Sequence, residues 1–270
     1  DVHVRPDYLE SLLMALEQPG VGLVTTLYAG LPASANWVAR LGAAQITSGF
    51  LPGALLSRRL GRSDCLGATM CLRRADLARI GGLEALVDHL ADDNVLGRRI
   101  KGLGLAVALA DTLVLTTVPE TDPRALFRHE LRWARTIRAL EPAGFAASVL
   151  QYPLFWALLA VLLDGFGRWS LAAFLIAWLL RAAAAWWGDR ALARLWRGGG
   201  ESVLAFSCPL GLLPIRDVLS VIVLLASYGG RQVDWRGHAL HADTPARSHD
   251  SRDPRVGDPN TGTTEDIRPR

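Results

Sequence analysis

The hydrophobic positions of the first 140 residues change period repeatedly, and each change marks an element. Tyr8, Leu9, Leu12, Leu13 and Leu16 recur on one helical face behind Pro6, which suits a first helical position, and Gly20 ends the run. Val21 to Tyr28 and Leu66 to Leu72 are short strand-like runs. Between them, residues 33–50 predict a helix with Trp37, Leu41, Ala44 and Ile46 as its apolar side. Arg74 to Ile80 predicts a brief helix stopped by Gly81 and Gly82. Asp92 to Lys101 predicts another, with acids in its first turn and Arg98, Arg99 and Lys101 in its last, the order its macrodipole favours. Leu105 to Ala110 and Leu113 to Val118 predict two strands on either side of Asp111, and Pro123 opens a further helix. Alternation of this kind belongs to α/β layers, which is the fold class expected for residues 1–144.

From Phe145 the pattern becomes apolar. Val149 to Leu163 and Leu171 to Trp187, joined by residues 164–170, predict a helical hairpin through a bilayer within 145–188. Trp156, Trp169, Trp178, Trp186 and Trp187 suit its interfaces. Arg190, Arg194 and Arg197 follow the second run while the hairpin loop holds only Arg168, which places the soluble part and the 188–201 loop on the cytoplasmic side. Residues 189–240 then comprise a basic loop and a third apolar region, Val203 to Tyr228. Pro209, Pro214 and the Arg216-Asp217 pair interrupt it, so it is either one kinked span or two half-length pieces. The 241–270 tail, rich in Asp, Arg, Pro, Thr and Gly, is expected to be disordered.

Composition agrees with a chain divided between water and bilayer: 270 residues, 50% hydrophobic, with mean hydropathy +0.22. A net charge of +3 is too small to imply a nucleic-acid partner. Cys65, Cys71 and Cys208 are odd in number and lack metal-ligand spacing, which predicts reduced structural thiols. The sequence opens on Asp1 with no signal peptide and no glycine-rich strand-turn-helix, so it is expected to be part of something longer.

Two clusters carry chemistry. In Ala91-Asp92-Asp93-Asn94, a carboxylate near a helix N-terminus is held in its charged form and available to accept a proton; the alternative is a pair of capping acids. In His129-Glu130-Leu131-Arg132-Trp133, Arg132 offers a fork for a diphosphate, Trp133 a flat face for a sugar or an acyl chain, and His129 sits one turn earlier on the same face. The alternative there is an interfacial Arg-Trp pair at the mouth of a membrane segment, with His129 a plain surface histidine.

In this order the residues resemble lipid-directed and processive glycosyltransferases of the GT-A fold, above all ceramide glucosyltransferases. Within that group the resemblance is to the bacterial enzymes that add N-acetylglucosamine to the hopanoid bacteriohopanetetrol. It covers Asp1 to about Gly237. Asp1-Val2-His3-Val4 with Pro6-Asp7-Tyr8-Leu9 matches the stretch that starts at the last aspartate of the family's metal-binding Asp-x-Asp. Cys65 through Arg74, with Gly67, matches the strand and turn lining the acceptor side, and Leu90-Ala91-Asp92-Asp93 the catalytic acids, with Asp92 where Glu is commoner. His129-x-x-Arg132-Trp133 matches the motif ahead of the membrane helices, His129 replacing the usual Gln or Arg, and Val233-Asp234-Trp235-Arg236-Gly237 resembles the C-terminal Trp-Arg-Gly signature.

The resemblance implies the C-terminal part of a GT-A domain followed by transmembrane helices, in a multi-pass protein of a bacterial inner membrane with its catalytic domain cytoplasmic. The uridine-binding half and the first Asp of Asp-x-Asp are absent from this sequence, so donor binding by these residues alone is expected to be poor. The implied reaction is inverting transfer from a UDP-sugar to a membrane lipid hydroxyl. Asp93 is the base, Asp92, His129, Arg132, Trp133 and Gly67 serve the donor diphosphate and acceptor, and Asp1 is a ligand for Mg2+ or Mn2+. Three rivals stay open: a ceramide glucosyltransferase, a processive polysaccharide synthase, and a non-catalytic membrane scaffold.

Overall fold

Two long strands, β2 (Val21–Pro32) and β4 (Ala106–Val118), pair in parallel along most of their length. The short β1 (Val2–His3) lies antiparallel against β4, and β3 (Cys71–Leu72) antiparallel against β2, giving the order β1-β4-β2-β3. This computed structural model describes residues 2–87, 89, 91–196, 209–230, 232–235 and 238–241. Asp1, Cys208, Arg197, residues 203–208, Arg236, Gly237 and the tail from 242 lie outside the described residues, and with them the expectations that fall there.

A parallel pair needs a long crossover, and residues 33–105 supply it. β2 is buried along nearly its whole length, as strands covered on both faces are. It extends four residues beyond the predicted Tyr28. The two strands predicted on either side of Asp111 are one: β4 is continuous, and the break is a bulge in which Ala110, Asp111 and Thr112 face Thr26 alone. The run from Leu66 is strand only at Cys71–Leu72, because residues 66–69 turn to meet β2 through side chains.

Helix α1 (Tyr8–Leu16) begins after Asp7, so Pro6 lies in the preceding turn rather than at the first helical position. Leu12 and Leu16 are buried against Val21, Val24 and Ala110, whereas Leu9 and Leu13 are exposed, which narrows the predicted apolar face. α2 (Trp37–Ala44) is capped by Asn36, whose side chain accepts from Val38 N at 2.7 Å. The helix does not stop at Phe50. It widens into a π-helical segment, Gln45–Phe50, and continues as α3 (Leu51–Arg59) past Pro52. Pro52 cannot donate to the Ser48 carbonyl four residues back; Arg181 Nη2 donates to that oxygen at 3.2 Å. α4 (Arg74–Arg79) ends at Gly81 and Gly82, both at positive φ, and α5 (Asp92–Gly102) and α6 (Pro123–Leu140) form as predicted.

The first arm of the predicted hairpin is different. It consists of α7 (Pro142–Ala147), a 3-10 turn at Ser148–Gln151 and α8 (Pro153–Leu163), with a 63° bend at the break before Pro153. Eleven residues make α8 about 16 Å long, roughly half of a hydrocarbon core about 30 Å thick. After a turn with Gly165 and Phe166 at positive φ, α9 (Arg168–Leu195) packs back on α8. It extends through most of the region predicted as a basic loop, because Leu192 and Trp196 dock on the sheet beside Ala29, Leu31 and Leu115. A 3-10 turn at Leu210–Leu212 leads into α10 (Leu213–Ser227). Among the described residues two stretches, Arg168–Leu195 and Leu210–Ser227, are long and apolar enough to cross a membrane, three if the bent pair counts as one span. α9 buries little of its apolar stretch and exposes Leu175, Ile176, Leu179 and Leu180. Two short antiparallel strands, β5 (Gln232–Trp235) and β6 (His238–His241), close the described chain.

Candidate active site

Adjacent threonines of β2 point to opposite faces and pin the 66–69 turn from both. Thr25 Oγ1, fully buried, donates to Leu66 O at 2.8 Å and accepts from Leu66 N at 2.9 Å. Thr26 Oγ1 donates to Thr69 Oγ1 at 2.8 Å, and that hydroxyl is 2.9 Å from Tyr8 Oη. The segment ahead of the turn packs on α5, where Gly97 in mid-helix lets the two approach: a Cβ there would lie 3.0 Å from Cys65 Cβ. Burial pushes the Cys65 thiol up to about 12, fitting a reduced structural cysteine, and Cys71 is also free.

This packing places Gly67 directly against Asp93. A Cβ on Gly67 would lie 2.9 Å from Asp93 Oδ2, and the Gly67 backbone acts to lower the carboxyl. Asn94 N donates to Asp93 Oδ1 at 2.7 Å, and Asp93 N to Asp92 Oδ1 at 2.9 Å. Ala91, not an acid, is the N-cap residue, so Asp92 and Asp93 are the first two helical residues. Asp92 is exposed and Asp93 partly buried. The helix terminus does not lower the Asp93 carboxyl as expected from sequence: burial raises it above its ordinary value, the Asp92 charge adds to the rise, and the backbone donors only oppose it.

The second cluster forms where β4 passes into α6. Asp122 caps α6 by accepting from Ala125 N at 2.9 Å. His129 Nδ1 hydrogen-bonds to the Glu120 carboxylate just after β4, and its ring meets Trp133 edge-on at 4.8 Å between centroids. Burial lowers the Arg132 guanidinium, the charge of Glu120 opposes that, and the group stays cationic. Trp133 packs on Ala43, Ile46 and Val118, together with Tyr28 and Phe50.

Tyr28 joins the two clusters. Its ring stacks on Phe50 at 4.6 Å, and its hydroxyl is raised first by burial and then by the charge of Asp93. Tyr28 thus packs in the same cluster as Trp133 and lies within the field of Asp93, which links the two groups of candidate residues.

Sequence reasoning missed the support behind α6. Arg216, 2% exposed, grips Glu130 through two bonds of 2.7 Å, donates to Leu41 O at 3.1 Å and meets Ser220 Oγ at 3.2 Å. Ser220 Oγ reaches Gln45 Oε1 at 3.1 Å. Asp217 accepts from Leu154 N at 3.1 Å and pairs with Arg181 at 3.6 Å. The signal in the sequence is charge inside an apolar run, which has to be paired when buried; Arg216 and Asp217 interrupt the run and are paired in this way.

Asp1, the expected metal ligand, lies outside the described residues, and among the described residues no three His, Cys, Asp or Glu side chains converge on a possible ion.

Comparison with known proteins identifies the chemistry. No curated protein matches the chain. The family model described as glycosyl transferase family 21 matches residues 1–247 of the 270. The chain belongs to glycosyl transferase family 21, a ceramide glucosyltransferase-like family, and is a glycosyltransferase.

Proposed function

We propose that the protein transfers a sugar from a UDP-sugar to a membrane lipid hydroxyl with inversion, N-acetylglucosamine and a hopanoid being the favoured pair. The observation that carries this reading is the partly buried Asp93 carboxylate packed against Gly67, with Tyr28 linking it to the cluster that holds Trp133. Asp93 removes the acceptor proton as the hydroxyl oxygen attacks the anomeric carbon, and the bond to UDP breaks on the opposite face. Arg132 grips the departing diphosphate, with His129 beside it and Trp133 offering its face to the sugar or the lipid. Asp92 and Gly67 shape the base's environment. Mg2+ or Mn2+, with Asp1 among its ligands, would add charge compensation at the diphosphate.

Glucose transfer to ceramide, the second reading, also fits the family. The Glu130–Arg216 grip ties α6 to a helix apolar enough to span a bilayer, which suits an acceptor drawn from the membrane. Arg190 and Arg194 lie at the end of α9 that docks on the sheet; by charge bias this domain faces the cytoplasm, of a bacterial inner membrane in this proposal.

The test is a membrane assay of the full-length protein with Mg2+, radiolabelled UDP-N-acetylglucosamine or UDP-glucose, and bacteriohopanetetrol or ceramide, resolved by thin-layer chromatography. A labelled lipid carrying one sugar supports the proposal and names the pair. A ladder of products supports a processive synthase, and no product from folded protein supports a scaffold.

A further inference from the structure

A cavity of about 400 Å³ opens between α2, α6, α8 and α10. Trp37 and Leu41 wall it from α2, Leu126 from α6, Leu158 from α8, and Val218 and Ile222 from α10. Its size is that of a small-molecule site, about 300–1,000 Å³, but it lacks what such a site uses to orient a soluble metabolite, since no charged side chain lines it. Its chemistry selects hydrocarbon.

The position of the groove says which hydrocarbon. One wall is the stretch Leu210–Ser227, apolar enough to span a membrane, and on that helix Ile215 and Ile222 are about half exposed, so the apolar surface continues outward from the groove. At the inner end Leu126 also lines the small pocket formed by Glu120, His129, Glu130 and Trp133. Along α6, His129 is about 4.5 Å and Arg132 about 9 Å beyond Leu126. A chain lying in the groove would therefore bring its polar end to the second cluster.

We propose that this groove holds the hydrocarbon of the acceptor lipid, with the hydroxyl end leaving the groove beside Leu126 and passing Trp133 and Tyr28 towards Asp93. The inference rests on the lipid-transfer reading above and adds the acceptor's place. Moving a lipid from bilayer to groove exchanges one apolar surrounding for another. The groove consequently places the acceptor rather than concentrating it.

The experiment uses the full-length protein in phosphatidylcholine vesicles containing ceramide or bacteriohopanetetrol. Val218→Trp, which fills the groove, is expected to lower kcat/KM for the lipid acceptor at least about tenfold. It should leave UDP-sugar hydrolysis by water within about twofold, and Val218→Ala should keep lipid transfer. A benzophenone-bearing residue in place of Val218 is expected to cross-link the acceptor in preference to phosphatidylcholine, unlike the same residue in place of Ile176 on the exposed flank of α9. Unchanged lipid transfer by Val218→Trp overturns the assignment, as does equal loss of hydrolysis and transfer. So does a cross-link from position 218 to bulk phosphatidylcholine, to the chain's own residues 197–208, or to a second copy. A wild-type protein that hydrolyses UDP-sugar yet glycosylates neither lipid sinks the lipid-transfer reading instead, and the cross-link still decides the groove.

Discussion

The carboxylate of Asp93 lies so close against Gly67 that a Cβ there would be 2.9 Å from Oδ2, which leaves no room for a side chain on residue 67. Gly67 is not at positive φ, so alanine suits its backbone and the conflict is with the carboxylate alone. Gly67→Ala is expected to leave the fold intact while displacing Asp93. A displacement of about 1 Å costs on the order of 10²-fold in rate, to be read as kcat of lipid transfer beside an unchanged thermal midpoint.

The raised Asp93 carboxyl sets a pH dependence. A base must be deprotonated to act, so kcat/KM falls as pH drops through a value above the ordinary 3.8. Asp92→Asn removes a charge that contributes to the rise, and should move this acid limb to lower pH. Stability runs the other way. The folded protein holds the Asp93 proton more tightly than the unfolded chain does, so stability declines as pH rises from 3.8 through the raised value. Asp93→Asn should therefore have an equal or higher melting midpoint at neutral pH.

Glu130 and Arg216 should behave as a unit. Removing one partner of a buried pair costs about 3–5 kcal/mol, whereas replacing both with apolar residues is often neutral. Glu130→Leu and Arg216→Met are each expected to lower the thermal midpoint sharply, and the double variant to recover most of the loss. A double variant as unstable as the sum of the singles would show that Arg216 acts chiefly through Leu41 O and Ser220.

Arg132→Ala should reduce kcat by about 10²–10³-fold through lost charge at the departing diphosphate, with the acceptor KM little changed. Arg132→Lys restores a charge without the fork and should recover only part of the rate. Glu120→Gln removes the carboxylate that holds His129 Nδ1, and a smaller fall is expected in the same assay.

Local signals were legible in sequence wherever neighbours decide the structure. Gly81 and Gly82 end α4, Pro123 begins α6, and the acids that open α5 sit in its first turn. Failures came where distant partners decide. The Ser48 carbonyl freed by Pro52 is served by Arg181, 133 residues away, which helps a helix pass a proline that should have ended it. Both predicted flanks of Asp111 pair with one continuous β2, turning an apparent break into a bulge. The rise of the Asp93 carboxyl has no signal in the sequence, where helix position is visible and burial beside Gly67 and Tyr28 is not. The role of Tyr28 between the clusters had no signal in a strand whose residues are almost all buried.

The most direct measurement compares single-turnover formation of labelled lipid by full-length wild-type and Asp93→Asn proteins in the same vesicles at neutral pH, with melting midpoints taken in parallel. The account predicts a folded Asp93→Asn protein with no lipid product above the enzyme-free background. Transfer within about tenfold of wild type, less than the 10²–10⁴-fold a positioned base contributes, would contradict the assignment of Asp93 as the base.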